Sequence, residues 1–521
     1  MPRIAHGASI SPEQLQQARE VVAGQVAEVG LAFAAAAPAP EQDFRFMFPD
    51  LQNPANRLPT TPRTVRRLKD LGHTMIEDRE GAVGDAENLP AIYTYFGQFI
   101  DHDITLLTGH LAKPADLVSD ELAVLHLEDV RALKNARTAR LELDSLYGAA
   151  APRVGAKMKL GKVARAGDRP PGKGDDNDLP RLGRDPAHAE RDRAARIGDD
   201  RNDENLILSQ LHLAFLKAHN VLIDQGLTFA QAQRFLRQHY QHLVLHDFLK
   251  RRVADPSVVD DVLKNGNRFY HPEVEPFFMP LEFSVAAFRF GHTMVRNQYN
   301  YNRNFPEATL DLLFTFTALS GQLGDFDTLP ENWIIEWEKF IAHLGGRNPA
   351  RRLDTTLASG LFHLQKITGT EERPADAANL AVRNLLRGYA LRMPTGQAVA
   401  NKMKQELDVP VPVLTPAELL KVATESGNSN QAKALKDGNF HQRTPLWYYL
   451  LAEAKHHGKG NRLGPVGSRI VAEVLVGLVR RSEDSILRDP DWKPAIRLAN
   501  PPNFVLPDLL RFAKIAQVRS T

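Results

Sequence analysis

Gln98, Asp101, His102 and Asp103 are crowded into the run Tyr95-Phe96-Gly97-Gln98-Phe99-Ile100-Asp101-His102-Asp103. A helix turns about 100° per residue, so Gln98 and His102, four apart, share a face; Asp101 adjoins it and Asp103 is turned away. One short helix can thus offer an imidazole and an amide to a cavity while sending a carboxylate elsewhere. Asp-His-Asp alone also fits a charged helix end or part of a hydrolytic metal site. The flanking Phe96, Phe99 and Ile100 argue for burial, and buried imidazoles and carboxylates need partners. A second cluster, Gly198-Asp199-Asp200-Arg201-Asn202-Asp203-Glu204-Asn205, opens an apolar stretch. Acids at a helix start suit the macrodipole, which accounts for Asp203 or Glu204 but not for Arg201. In a third, Phe288-Arg289-Phe290-Gly291-His292-Thr293-Met294-Val295, a histidine stands among apolar residues. In that setting a satisfied core residue is commoner than a metal ligand.

The elements that must hold these residues are mainly helical. Ile92, Phe96 and Phe99 recur at helical spacing over 91–107, Leu208, Leu211 and Phe215 over 205–220, and Leu236, Tyr240 and Leu243 over 228–252. Further helices are predicted near 281–297, 308–319, 330–344, 375–391, 415–424, 445–457 and 467–488. Alternating β-branched runs are scarce. Residues 11–36 read as an amphipathic helix ending in an Ala/Pro linker, and 41–90 as Pro-rich and irregular. The Gly-, Pro-, Arg- and Asp-rich stretch 149–200 reads as a long surface loop. The expected organisation is a helical N-terminal extension with linker over 1–40, and one large mainly α domain over 41–521.

Composition narrows the chemistry. The absence of cysteine excludes disulfides, zinc–thiolate sites, iron–sulfur clusters and a thiolate haem ligand. A net charge of +2 gives no reason to expect a nucleic-acid partner. No basic stretch followed by an apolar run marks a secretory signal, and no membrane span is predicted. The expected location is cytoplasmic, or exported or secreted without a recognisable signal.

The three clusters in order, GQFIDHD, then GDxRxxE, then FRFGHT, resemble the animal haem peroxidase family of the peroxidase–cyclooxygenase superfamily. The likeness spans about residues 90–300 and continues more weakly to about 490, where LGPVGSRIVAEVLVGL at 463–478 looks like the family's C-terminal helix. The resemblance implies a single large helical haem-peroxidase domain with long irregular loops. It also implies reduction of hydrogen peroxide and oxidation of small electron donors through a ferryl intermediate, as in a response to oxidative stress. His102 would be the distal base, Arg201 the cation that polarises the O–O bond, and Gln98 a residue ordering water or substrate over the iron. His292 would be the proximal ligand of the haem iron and Arg289 a neighbour of a haem propionate. Gln397, in Arg387–Gln397, would take the place of the family's proximal hydrogen-bond partner. Asp101 and Glu204 would be positions for ester links, so the cofactor is haem b or ester-linked haem. Asp103, Thr138, Arg140 through its carbonyl, Glu142 and Asp144 would bind Ca2+.

Within the superfamily, oxygenases carry a radical-forming tyrosine three residues before the proximal histidine. Here Arg289 stands there, which disfavours fatty-acid dioxygenation, although Tyr299 or Tyr301 could be considered. A catalytically silent haem- or calcium-binding adhesion module would not need His102 and Arg201. A non-haem metallohydrolase on Asp101, His102 and Asp103 would need further ligands nearby. His239, His242 and His246 read as packing residues, and His456 and His457 as a solvated helix end. The oligomeric state is open.

Overall fold

The computed structural model describes residues 42–78, 81–108, 117–148, 151–165, 175–188, 191–273, 277–341, 348–363, 375–496 and 503–516. The expected N-terminal extension over 1–40 lies outside them. The helices that position the site are α1 (Pro62–His73), α2 (Ile92–Ile104), α3 (Leu206–Asp224), α4 (Phe229–His242), α5 (Leu380–Ala390), α6 (Gly396–Glu406), α7 (Leu446–His456) and α8 (Pro465–Arg481). One small sheet orders its strands β2-β3-β1-β4, with β1 at Gln42–Arg45, β2 at Leu107–Thr108, β3 at Lys134–Asn135 and β4 at Phe278–Pro280. β1 runs antiparallel to β3 and parallel to β4, pairing Gln42 with Asn135 and Phe44 with Met279.

α2 and α3 form the centre. α2 buries Phe96, Phe99 and Ile100, and Phe99 stacks on Phe215 of α3 with ring centroids 4.7 Å apart. Tyr240 of α4 meets both rings edge-on. α3 is long and apolar enough to cross a membrane by composition, but it is buried inside the protein. Asn205 caps it, accepting from the Leu208 amide.

The expected irregular stretch 41–90 contains α1. Pro62 sits at its first position, where a missing N–H costs nothing, and Thr61 caps it through the Thr64 amide. Val65, Leu68 and Leu71 form its buried face against α5; its many charged residues concealed that stripe in the sequence. Within the predicted helix at 330–344, the described residues, which end at 341, hold two short helical segments, Glu331–Trp333 and Glu338–Ile341. Within the predicted stretch 281–297 the helix ends at Met294 and is not a regular α-helix: a π segment, Glu282–Ala286, passes into a 3-10 segment, Ala287–Met294. Apolar spacing does not distinguish these hydrogen-bond patterns. The buried Glu282 carboxylate anchors the first of them by accepting from the amides of Met47 and Phe48. Within the described part of the stretch 149–200, Arg181 joins Asp178 to Asp203 of the second cluster.

Candidate active site

A cavity of about 1360 Å³, open mouth included, is lined by Gln98, Asp101 and His102 of α2, by Arg201, Glu204 and Asn205, and by Arg289, His292 and Arg387. The three sequence clusters therefore converge on one space.

On one wall, His102 is almost fully buried. Its Nδ1 lies 2.9 Å from Asn202 Oδ1, and its Nε2 lies 3.9 Å from Glu204 Oε1. Burial and the nearby Arg201 hold its pKa below the ordinary imidazole value, so it stays neutral at neutral pH. Arg201 donates through Nε and Nη2 to Asp199, at 3.0 and 2.7 Å, and through Nη2 to the carbonyls of His102 and Thr105. Burial opposes its charge, but Asp199 more than offsets this and keeps Arg201 cationic. Asp199 is in turn drawn well below the usual carboxylate range, against burial, by Arg137 and Arg201. Gln98 is held at both ends: its amide nitrogen donates to Glu204 and its carbonyl accepts from Asn205 at 3.0 Å. The Asp101 carboxylate accepts from Thr105 Oγ1 at 2.9 Å.

On the other wall, the 3-10 segment brings Arg289 and His292, three residues apart, onto one side. Asn384 Nδ2 lies 2.9 Å from His292 Nδ1, and Asn384 Oδ1 accepts from Arg289 Nη1 at 3.2 Å. The expected partner Gln397 is elsewhere. It begins α6 and pairs with Thr444, donating to Oγ1 at 2.7 Å and accepting from the backbone amide at 2.9 Å. The chain turns sharply after α5, with Arg392 at φ 62°, which carries Gln397 away from His292. Asn384 could have been found from the sequence: it precedes Arg387 by three residues and so shares its helix face. Replacing Asn384 by alanine is expected to weaken haem affinity about 10- to 100-fold, by analogy with lost outer hydrogen-bond partners of metal-bound histidines. Gln397→Ala should leave it unchanged. Haem titration followed by absorbance checks both.

The loop after β3 is unusual. Ala139, Leu141 and Leu143 all have positive φ, between 49° and 59°, and all three side chains are fully buried. Packing of the apolar residues fixes this strained alternation and leaves Thr138, Arg140, Glu142 and Asp144 in the intervening positions. Thr138 Oγ1 donates to Asp144. Asp103, turned away from the cavity, accepts from the amides of Leu143 and Ser145 at 3.2 and 3.0 Å. Burial, then the nearby Asp144, pushes its pKa up to about 7. Glu142 does not join them: its carboxylate accepts from Ser482 Oγ and the Glu483 amide, and the Arg140 side chain reaches Glu483. Among the described residues no three acidic or imidazole side chains cluster as a metal site. Gly198 lets this loop touch the second motif, since a Cβ there would lie 2.4 Å from the Asp144 carbonyl.

These features define a mainly helical protein with a cavity walled by a histidine–arginine pair opposite a second histidine. Residues 118–388 match the animal haem peroxidase family, and the chain belongs to that family. The match takes in Arg201, Glu204, Arg289, His292 and Asn384, while the helix with Gln98 and His102 precedes it. A peroxidase-like protein of Margaritifera margaritifera is 29% identical over 184 residues, 32% of this chain and 22% of that protein. The human probable oxidoreductase PXDNL is 27% identical over 108 residues, 19% of this chain and 7% of that protein. The chain thus spans less than a quarter of either relative. Among solved structures, a fatty acid alpha-dioxygenase of Arabidopsis thaliana aligns with a TM-score of 0.53 at 13% identity, covering 84% of this chain and 71% of that one. The Oryza sativa fatty acid alpha-dioxygenase with palmitic acid gives 0.52 at 12%, covering 82% and 75%. At these identities the likeness is one of fold.

Proposed function

We propose that the protein is a haem peroxidase that reduces hydrogen peroxide to water and draws electrons from small donors of the halide, thiocyanate or phenol kind. The observation that carries this is the single cavity shared by His102, Arg201 and His292. The donor set fits haem. Asn384 Nδ2 is the amide atom beside His292 Nδ1; iron ligation through Nε2 would put the ring proton on Nδ1 and require the Asn384 amide to turn its carbonyl toward it. Arg289 and Arg387 line the same space. Arg387 is held well below its ordinary pKa by burial, then by Arg289 and Arg383, a cationic neighbourhood that haem propionates would balance. Bound there, haem supplies the iron that accepts oxidising equivalents from peroxide.

The chain's own residues handle protons and charge. Neutral His102 takes a proton from hydrogen peroxide and returns it to the departing oxygen, which leaves as water. Arg201, clamped by Asp199, stabilises the negative charge that builds as the O–O bond breaks, and its fixed geometry spares reorganisation. Gln98 holds the buried Glu204 carboxylate in the cavity wall, and Glu204 with Asp101 would supply the positions for ester links to haem. The position three residues before His292 is Arg289, whose guanidinium is committed to Ser284 and Asn384, which speaks against a radical-based fatty-acid dioxygenase. Haem-loaded protein should oxidise iodide or a phenol only when peroxide is supplied. Oxygen uptake with a fatty acid and no peroxide would instead identify a dioxygenase, and inertness toward every donor a silent binding module.

Asp103, Asp144 and Thr138 form the calcium position in this reading, with Glu142 serving the start of the segment after α8. The paired carboxylates supply its support. Without a cation, the raised pKa of Asp103 means that stability is present at acid pH and is lost as pH rises through about 7. Calcium should cancel that loss. Melting temperature is expected to rise with calcium at pH 8 more than at pH 6, with about 2.7 kcal/mol gained at a free concentration 100 times Kd. No response to calcium or chelator would remove the site.

A further inference from the structure

His102 does not end its hydrogen bonding at Asn202. Asn202 Oδ1 lies 2.9 Å from His102 Nδ1, and Asn202 Nδ2 lies 3.0 Å from His212 Nδ1. Asn202 and His212 are completely buried. Asn202 belongs to the 3-10 turn Asp200–Asp203, and His212 to α3, where its ring meets Phe99 edge-on. Its Nε2 is buried with no hydrogen-bond partner. The three side chains therefore link α2, the arginine-bearing turn and α3 through one amide.

An amide has a donor end and an acceptor end, so it couples the tautomers of the two rings it touches. With Oδ1 toward His102, that ring carries its proton on Nδ1 and keeps Nε2 bare. With Nδ2 toward His212, that ring accepts at Nδ1 and carries its proton on Nε2. The reverse amide would put a proton on His102 Nε2 and leave it unable to receive one. Burial lowers the His212 pKa to about 3, so the ring stays neutral and can accept at Nδ1, at the cost of a buried Nε2–H with no acceptor.

We infer that Asn202 and His212 are positioning residues that lock His102 in the tautomer whose Nε2 is a free base toward the cavity. This rests on the peroxidase reading for its consequence, but the tautomer lock itself is a property of the haem-free chain. The lock explains why an asparagine directly follows Arg201: neighbouring residues of one turn serve the cation and the base together.

The test has two arms. In haem-free protein labelled with 15N-histidine, ring-nitrogen correlations should show His102 protonated at Nδ1 and His212 at Nε2; the resonances are assigned with His102→Gln and His212→Gln. In haem-loaded protein, association of hydrogen cyanide requires transfer of its proton to a free base. Asn202→Ala should slow it about 10- to 100-fold, the range for lost outer partners of functional histidines, with the Soret band kept. Asn202→Asp, whose carboxylate also accepts from Nδ1–H, should restore most of the rate. A proton on His102 Nε2 in the parent protein, or an unchanged cyanide rate in a folded Asn202→Ala, overturns the inference. The expected tautomers in a parent protein inert to peroxide would uphold the lock and overturn only the peroxidase reading.

Discussion

His292→Ala is expected to lose protein-held haem, the largest effect of any single substitution in the cavity. Both cavity histidines have Nδ1 beside an amide, but His292 alone shares its wall with the Arg289 and Arg387 guanidiniums, and its Asn384 amide, 2.9 Å away, is also bonded to Arg289. An imidazole steadied at Nδ1 is a better ligand through Nε2, and its removal leaves a methyl group facing the space. The Arg289 and Arg387 guanidiniums would still attract propionates, so some haem should associate without axial ligation. Absorption and magnetic circular dichroism separate the cases. The parent should show a histidine-bound spectrum, the variant a weak and shifted Soret band, and added imidazole should restore ligation in the vacated space. Unaltered ligation in His292→Ala would remove His292 from the proximal role.

His102→Ala should do the opposite, keeping haem and losing rapid reaction with peroxide. A positioned general base contributes about 100- to 10,000-fold, and that fall in the second-order rate constant is expected here. Arg201 remains clamped by Asp199 in the variant, so a residual electrostatic contribution survives. The pH dependence follows from the direction of the His102 shift. Burial and Arg201 lower its pKa, so the free base persists below the ordinary imidazole range. The parent rate should persist to lower pH than an ordinary imidazole base would allow before it declines, and His102→Ala should lack that decline. Stopped-flow mixing with peroxide across pH measures both. A parent-like rate in His102→Ala would contradict the distal assignment.

What was legible in the sequence divides along physical lines. α2, α3, α7 and α8 each show apolar residues at helical spacing, because each presents a broad face to the core. α1 was hidden, since a narrow stripe of Val65, Leu68 and Leu71 among many charges resembles a loop. The spacing of the second and third clusters located Arg201 and His292, but not what holds them. Asn384 and Asn202 act through amides that a polar surface residue would share by type, and only their burial marks them. Gln397 was placed by counting along the chain, and a backward turn at Arg392 breaks the count. Glu142 alternates correctly with Thr138 and Asp144, yet its longer side chain reaches the segment after α8 instead of Asp103.

The central claim is that His102, Arg201 and His292 serve one haem that reacts with peroxide. The most direct measurement is the visible spectrum of the purified, haem-supplemented protein before and after one equivalent of hydrogen peroxide. A Soret band that shifts within the mixing time is the predicted result. A well-folded protein that takes up no haem, or a haem complex whose spectrum peroxide leaves unchanged, would contradict it.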